Sequence, residues 1–320
     1  MKWKKLGHIF DPTSWEDGVS RSWMKTHSQC PSTQVYEDYV RVYFSCRPDP
    51  DSNQQYVSYT TYLDLDRKNL TEVLRVAEQP LMSLGKLGTF DEFAVYPTST
   101  IRIDNQTHLY YAGWSRCQST PYTVSIGHAI SDDGAIFKRT ADGPILTNSQ
   151  HEPYELSGPK IRKFNDYFFM YYLAGEGWVI DGNKPVSKYK IRLALSRDGV
   201  NWDKLNTNII PSILPEDECQ AGPDVFFREG KYHMFFSYRY ATDFKNRQRG
   251  YKIGYASSVD GIHWEREDKK AGIELAETGW DSEMHHYPHV FEVDSKVYML
   301  YNGNEFGKYG LGLAELIEES

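Results

Sequence analysis

One phrase recurs five times along this chain of 320 residues, at nearly equal spacing. Each copy has a proline, a short alternating strand, a turn and a second strand rich in Tyr, Phe and Met. The prolines are Pro31, Pro97, Pro159, Pro223 and Pro288, and they are separated by 66, 62, 64 and 65 residues. A pair of strands joined by a short polar turn is typical of a β-hairpin. Five equal periods constrain the fold more than any other feature of the sequence.

Three of the units continue with a further strand and an Asp-Gly turn, as in "YKIRLALSRDGVNWDK". Asp-Gly suits the positive φ angles of a tight turn, so each unit is predicted to be a four-stranded antiparallel sheet. The fifth unit ends after its third strand. The N-terminal segment "KWKKLGHIF" resembles the fourth strands, and we predict that it completes the last sheet.

Radial repetition of four-stranded sheets is the arrangement of a β-propeller, which leaves few exposed strand edges. We therefore predict an all-β fold in which residues 1–320 form a single five-bladed β-propeller domain, closed by the N-terminal strand. The aromatic content of 15% favours strands, and no long pattern of period 3.6 predicts a helix. A β-sandwich would explain the short strands but not the five equal periods.

The composition excludes several classes of partner. The net charge is -8 and no basic run occurs, so we expect neither nucleic acid nor an anionic membrane surface as a partner. The start "MKWKKLGHIF" is too short and too polar for a signal peptide and no long apolar run occurs, so we expect neither a leader nor a membrane span. Four widely spaced cysteines, without a metal-type pair, indicate reduced thiols in a cytoplasmic protein. The oligomeric state is left open by the sequence.

Acidic residues precede four of the five prolines. The candidate catalytic residues are Glu155, Glu218, Asp91, Glu92 and Glu283. Because the second strand of each hairpin returns beside the first, these acids should share one rim with the residues that end the second strands. The candidate substrate-binding residues on that rim are His27, Gln29, Arg47, Trp114, Trp178, Arg239, His285, His286 and Asn304. The acids could instead be a structural device that accepts backbone hydrogen bonds at the strand starts.

This rim would suit carbohydrate chemistry. Two carboxyl groups across a cleft can cleave a glycosidic bond, one as acid and the other as base or nucleophile. Aromatic rings stack on sugars, and two arginines indicate an anionic group such as phosphate, a uronic acid or a nucleotide, unless each arginine only neutralises a glutamate. The three histidines could hold a cation, but we favour hydrogen bonding to sugar and predict neither a metal nor a cofactor.

The phrases "ELSGPKIRKFNDYFFMYYLAG" and "SRDGVNWDK" resemble the five-bladed propeller glycosidases of families 43, 32 and 130, and the repeat extends this resemblance over nearly the whole chain. The resemblance implies that Glu155 is the proton donor, although here Ser157 stands two residues before the proline, where that pattern has its glutamate. It also implies that Arg47 and Arg239 could hold phosphate, as arginines do in the phosphorylases of family 130. The chain further resembles glycosidase-like proteins that occur with bacterial surface-polysaccharide genes.

Three functions remain open at this stage. We predict an enzyme that cleaves a glycosidic bond, as a hydrolase or a phosphorylase, and acts on a carbohydrate or sugar-phosphate substrate. The first alternative is a glycosyltransferase or sugar-nucleotide enzyme on the same scaffold. The second is a propeller that binds glycans without catalysis.

Overall fold

The fold is all-β, with five antiparallel sheets of four strands each arranged as a ring, in a computed structural model that describes residues 1–96 and 98–317. Pro97, one of the five repeat prolines, lies outside the described residues. The strands of blade one are β2 (Thr26–Val35), β3 (Tyr39–Arg47), β4 (Tyr59–Asp66) and β5 (Val73–Val76). Those of blade two are β6 (Thr98–Ile103), β7 (Gln106–Arg116), β8 (Tyr122–Ser131) and β9 (Lys138–Arg139).

The remaining three blades repeat this order from the axis outward. Blade three has β10 (Leu156–Phe164), β11 (Tyr167–Asp181), β12 (Lys184–Ser196) and β13 (Asp203–Lys204). Blade four has β14 (Glu218–Arg228), β15 (Lys231–Tyr240), β16 (Lys252–Ser258) and β17 (Glu265–Arg266). Blade five has β18 (His286–Val293), β19 (Lys296–Asn302), β20 (Leu311–Ile317) and the N-terminal strand β1 (Lys2–Phe10). A 3-10 turn (Asp268–Lys270) and a single helical turn, α1 (Asn304–Gly307), complete the described elements.

The N-terminal strand closes the ring, as the sequence predicted. Strand β1 pairs antiparallel with β20, and Trp3 lies opposite Leu316. The Trp3 ring packs edge-on against Phe235 of blade four, at 5.4 Å between ring centroids. The first and last segments of the chain therefore stabilise the same blade.

The turn chemistry explains the hairpins. Asp104, Asn165, Glu229 and Asp294 each have a φ close to +50° in the turn between the first and second strands of their blades. Asp and Asn tolerate this left-handed conformation at low cost, and these tight turns fix the register of the hairpins. The blades two to five are thus specified locally, by residues adjacent in sequence.

Neighbouring blades are locked together by a repeated tyrosine hydrogen bond. A buried tyrosine on the second strand of one blade donates to the glycine carbonyl in the Asp-Gly turn of the next blade. The pairs are Tyr43 to Gly134 (2.8 Å), Tyr110 to Gly199 (2.7 Å) and Tyr171 to Gly261 (2.9 Å). Five apolar clusters fill the spaces between adjacent blades, so the core is divided around the ring.

The innermost strands are joined at the axis by a buried ionic cluster. Asp224 of β14 receives two hydrogen bonds from Arg162 of β10, at 3.0 and 2.6 Å, and lies 2.7 Å from His289 Nδ1 of β18. The Thr33 backbone N–H of β2 donates to His289 Nε2 (2.9 Å), so the histidine carries its proton on Nδ1 and donates it to Asp224. The cluster joins four blades and lies below the axial pocket that is described next. Lys160 connects the two, because it lines the pocket and its Nζ lies 4.0 Å from Asp224 of the cluster.

Two further observations concern the described part of the chain. None of its helices has the length and apolar character needed to span a membrane. Cys30, Cys46, Cys117 and Cys219 are all free thiols.

Candidate functional site

An axial pocket of about 390 Å³ opens on the face where the first strands begin. Two repeated positions line it. The first is the residue directly before each repeat proline, and these residues are Cys30, Tyr96, Gly158, Gly222 and Tyr287. The second is the tyrosine that opens the phrase of each third strand, and these residues are Tyr56, Tyr122, Tyr189 and Tyr251. The ring symmetry therefore brings these repeated positions to the pocket wall, which also includes Glu155, Arg47 and Trp114 from the predicted rim.

Bulges in the first strands explain why those residues reach the axis. Cys30, Gly158, Gly222 and Tyr287 share a φ between 51° and 55°, and the strand register shifts around each of them. A bulge turns the strand and redirects the side chains that precede it. The conformation is strained for Cys30 and Tyr287, which carry a Cβ atom. Strain of this kind is concentrated at functional sites, and both residues line the pocket.

Glu155 is the one acidic side chain that lines this pocket among residues 1–96 and 98–317. It precedes β10, is only 4% exposed and forms no ion pair within the described chain. Burial raises the pKa of its carboxyl to about 7. The Ser187 hydroxyl on β12 donates to Oε1. Gly175 on β11 leaves room for the group, because a Cβ atom there would lie 2.8 Å from Oε2. Glu155 can therefore hold and release a proton near neutral pH.

Asp91 and Glu218 occupy structural ion pairs away from the pocket. Asp91 is 1% exposed, and its Oδ2 lies 2.7 Å from Arg139 Nε and 2.8 Å from the Tyr111 hydroxyl. Glu218 lies 2.6 Å from Arg266 Nη1. Burial alone would raise the pKa of Glu218, but hydrogen bonds from Gln220 and Arg266 hold it below the usual value. The Asp91 pair joins the loop before blade two to the outermost strand of that blade, and the Glu218 pair joins the first residue of β14 to the outermost strand of blade four.

Glu92 and Glu283 also lie outside the pocket lining. Glu92 is half-buried, and its Oε2 accepts the backbone N–H of Gly88 at 2.9 Å. Glu283 is exposed, and its backbone N–H donates to Asn304 Oδ1 at 2.8 Å. Of the five predicted acids, the structure thus places one, Glu155, in the pocket wall and the other four outside it.

Two arginines flank the pocket without a carboxylate partner in the described part of the chain. Arg47 lines it, and its Nη2 donates to Gln29 Oε1 at 3.2 Å. Arg239 is 5% exposed and lies behind the wall, where its Nη2 donates to the Tyr189 hydroxyl at 2.8 Å. The Nε atoms of both arginines are buried and unpartnered. The interpretation that these arginines only neutralise glutamates is therefore wrong for both.

The predicted histidines and Gln29 surround the blade one to blade five junction behind the pocket wall. Burial and the charges of Arg47 and Lys308 lower the pKa of His27 to about 3. Burial lowers the pKa of His286 to about 3, and both of its ring nitrogens are unpartnered. His285 is also buried, and its Nδ1 is unpartnered. Gln29 Nε2 donates to the Phe306 carbonyl.

Of the remaining predicted binding residues, one lines the pocket and the others support residues around it. Trp114 lines the pocket, and Trp178 packs edge-on against the lining residue Tyr122 at 5.4 Å. Asn304 accepts backbone hydrogen bonds from Glu283 and from the residue after it, so it supports the loop before β18. Within residues 1–96 and 98–317, no group of three potential ligands is placed to hold a metal ion.

Sequence reasoning missed Lys160 and the four third-strand tyrosines. Burial lowers the pKa of Lys160, which lines the pocket floor directly after Pro159 and donates to the Pro31 carbonyl at 3.1 Å. The tyrosines had a signal in the sequence, because Tyr122, Tyr189 and Tyr251 each open the same repeated phrase.

Comparison with known proteins identifies the relatives of this chain. It is 33% identical over 317 residues to "Uncharacterized protein Rv1502" of Mycobacterium tuberculosis (strain ATCC 25618 / H37Rv), which covers 99% of both chains. The chain belongs to the same protein family as this mycobacterial protein. Over 140 residues, 40% of this chain and 43% of the relative, it is 32% identical to the β-1,2-mannobiose phosphorylase of Thermoanaerobacter sp. (strain X514). No protein-family model matches the chain.

Solved structures confirm the resemblance in fold to glycosidase families 43, 32 and 130. A structure titled "Glycoside hydrolase" has a TM-score of 0.74 at 16% identity, covering 99% of this chain and 92% of that one. A structure from a study of family 130 mannoside phosphorylases and β-1,2-mannosidic hydrolases has a TM-score of 0.71 at 11% identity, with 99% and 94% coverage. Two further structures share the fold. One is a thermostable family-43 glycoside hydrolase, with a TM-score of 0.63 at 14% identity, covering 94% of each chain. The other is a Bombyx mori family-32 β-fructofuranosidase, with a TM-score of 0.65 at 17% identity, covering 98% of this chain and 62% of that one.

Proposed function

We propose that this protein is a glycoside phosphorylase, which cleaves a glycosidic bond with inorganic phosphate as the attacking group. One observation carries the proposal: the pocket holds a single protonatable carboxyl, Glu155, together with the Arg47 guanidinium, which lacks a carboxylate partner in the described part of the chain. Carbohydrate-active relatives and structural neighbours support the broader class of glycan-active enzymes.

The number of acids favours phosphorolysis over hydrolysis. Hydrolysis by the two-carboxylate mechanism needs a second acid, as base or as nucleophile, across the scissile bond. Among the described lining residues Glu155 has no such partner, since Asp91 and Glu218 are held in ion pairs outside the pocket. Phosphate is already a charged nucleophile at neutral pH and requires no base. Arg47 would attract it, and the Lys160 amine at the pocket floor would donate a further hydrogen bond.

The reaction follows from these roles. Glu155 donates its proton to the leaving glycosidic oxygen while a phosphate oxygen attacks the anomeric carbon, so the old C–O bond breaks as the new one forms. The products are a sugar 1-phosphate and a glycan shortened by one unit, and a single displacement inverts the anomeric configuration. Trp114 and the wall tyrosines would hold the sugar rings. Four free thiols agree with a cytoplasmic site of action.

The names of two relatives suggest the first substrates to test, which are β-1,2-mannobiose and β-1,2-oligomannan. The protein is incubated with each glycan and inorganic phosphate, and phosphorus NMR follows the appearance of α-mannose 1-phosphate. We expect that product from the native protein and from Glu283→Gln, an exposed acid that serves as control, but not from Glu155→Gln.

Other outcomes identify the rival functions. Free sugar that forms without phosphate uptake would establish a hydrolase. Transfer from a nucleotide sugar with no glycan cleavage would establish a glycosyltransferase. Glycan binding without any product, unchanged in Glu155→Gln, would establish a binding propeller.

A further inference from the structure

Arg239 carries a buried positive charge beside the pocket without lining it. Its Nη1 donates to the carbonyl oxygens of Tyr240 (2.7 Å) and Ala241 (3.3 Å), and the Phe244 ring lies 3.6 Å from the guanidinium. No carboxylate pairs with it in residues 1–96 and 98–317. A buried charge without a counter-ion is costly and is stabilised only by the groups that accept its hydrogen bonds. The charge of Arg239 therefore polarises those groups.

The group between Arg239 and the pocket is a pair of phenols. Tyr189 begins the third-strand phrase of blade three, and Tyr251 begins that of blade four, and both line the pocket. Arg239 Nη2 donates to the Tyr189 oxygen at 2.8 Å, and the two phenolic oxygens lie 2.5 Å apart.

Counting hydrogens shows what this pair can offer to a ligand. A guanidinium only donates, so the Tyr189 oxygen is an acceptor towards Arg239. The two phenols have two hydroxyl hydrogens, and the bond between their oxygens uses one. The described residues provide no acceptor for the other hydrogen, and both oxygens belong to pocket-lining residues. One phenolic O–H therefore remains to donate into the pocket.

We infer that the Tyr189–Tyr251 pair donates a hydrogen bond to an oxyanion of the ligand. Arg239 is a positioning residue that acts through this tyrosine pair. Hydrogen bonds in a chain polarise one another, and the positive charge behind the pair strengthens the donor that faces the pocket. Arg47, beside Tyr56 and Tyr96 of blades one and two, faces the same ligand with a guanidinium. The sequence predicted that Arg239 binds substrate, and the inference assigns it an indirect role, through the Tyr189 hydroxyl.

This inference rests on the proposed function in identifying the oxyanion as phosphate. Isothermal titration calorimetry with inorganic phosphate alone measures binding to the intact protein without any glycan. Tyr251→Phe and Tyr189→Phe remove one phenolic oxygen each and keep the ring. Tyr232→Phe is the control, because it removes a phenolic oxygen from the end of β15 that lies opposite to Arg239, away from the pocket lining. We expect phosphate affinity to fall at least tenfold in the first two variants and to stay unchanged in the third.

A second measurement separates positioning from general structure. If Arg239 acts through the phenols, Arg239→Lys combined with Tyr251→Phe will weaken phosphate binding by much less than the product of the two single effects. With an active glycan substrate, the KM for phosphate should rise in Tyr251→Phe while the KM for the glycan stays constant. Should Tyr189→Phe fail to fold, Tyr251→Phe decides alone.

The outcomes of the two proposals are distinguishable. Unchanged phosphate affinity in Tyr251→Phe, or no phosphate binding by the native protein, overturns the donor role whether or not glycan cleavage is found. Phosphate binding that depends on Tyr251 but is not followed by phosphorolysis supports the donor role and overturns the proposed reaction.

Discussion

The buried carboxyl of Glu155 should make the stability of the folded protein depend on pH. Its pKa rises from 4.5 to about 7 on folding, because burial penalises the charged form. The folded state then binds this proton more tightly than the unfolded state, so the contribution to stability is complete below the unfolded pKa and is lost as pH rises through about 7. Glu155→Gln removes this dependence and keeps the shape of the side chain.

The size of the effect follows from the shift. Each pKa unit corresponds to about 1.4 kcal/mol, so a rise in pKa from 4.5 to about 7 corresponds to about 3.5 kcal/mol, of which about 2.5 kcal/mol is lost between about pH 5 and pH 8. Urea unfolding followed by tryptophan fluorescence, at several pH values in this range, gives the free energy of unfolding of each protein. The buried histidines affect both proteins equally, so the difference between them isolates Glu155.

We expect the native protein to lose about 2.5 kcal/mol relative to Glu155→Gln as pH rises across this range. Glu283→Gln should show no such trend, because that side chain is exposed. A flat difference would falsify the assignment of a protonated, buried carboxyl. A difference of the opposite sign would show that a cation holds the carboxylate ionised, and Glu155 could not then act as the acid.

Three further predictions concern single hydrogen bonds or ion pairs. Ser187→Ala removes the donor that stabilises ionised Glu155, so the pKa of this acid should rise by about one unit, and the basic limb of the pH–rate profile should move with it. Asp91→Asn leaves Arg139 unpaired, so urea unfolding should show a loss of about 3 kcal/mol while glycan cleavage persists; loss of cleavage in folded protein would contradict its structural role. Tyr171→Phe removes one inter-blade hydrogen bond and should cost about 1–2 kcal/mol in the same assay, whereas an unchanged stability would show that the bond contributes nothing.

The architecture could be predicted from the sequence because its signals are local. A proline, a polar turn and an aromatic strand lie within about twenty residues of one another in each blade. The closing strand was found in the same way, from the likeness of "KWKKLGHIF" to the fourth strands. Such patterns specify strand pairing between neighbours in sequence, and the ring follows from repeating them five times.

The wall of the pocket was harder to predict because bulges interrupt the alternation of the first strands. Counting side chains along a regular strand assigns alternate residues to each face, and one extra residue reverses that assignment. The register shifts around Cys30, Gly158, Gly222 and Tyr287, so the residue that faces the axis lies directly before the proline. Four of the five acids predicted for the rim lie outside the pocket lining, and two of them, Asp91 and Glu218, form ion pairs with outermost strands.

The same repetition explains why Glu155 is free to act while acids at similar positions are not. In blades two and five, Asp91 and Asp281 each accept a hydrogen bond from a second-strand tyrosine and pair with a base on the outermost strand. In blade three Glu152 takes this role, with the Tyr172 hydroxyl at 2.6 Å and Lys204 at 2.6 Å. Glu155 lies three residues later, beyond that ion pair and within the pocket. Among repeated blades, an acid that recurs with its partners is part of the frame, and the acid that departs from the pattern is the one available for chemistry.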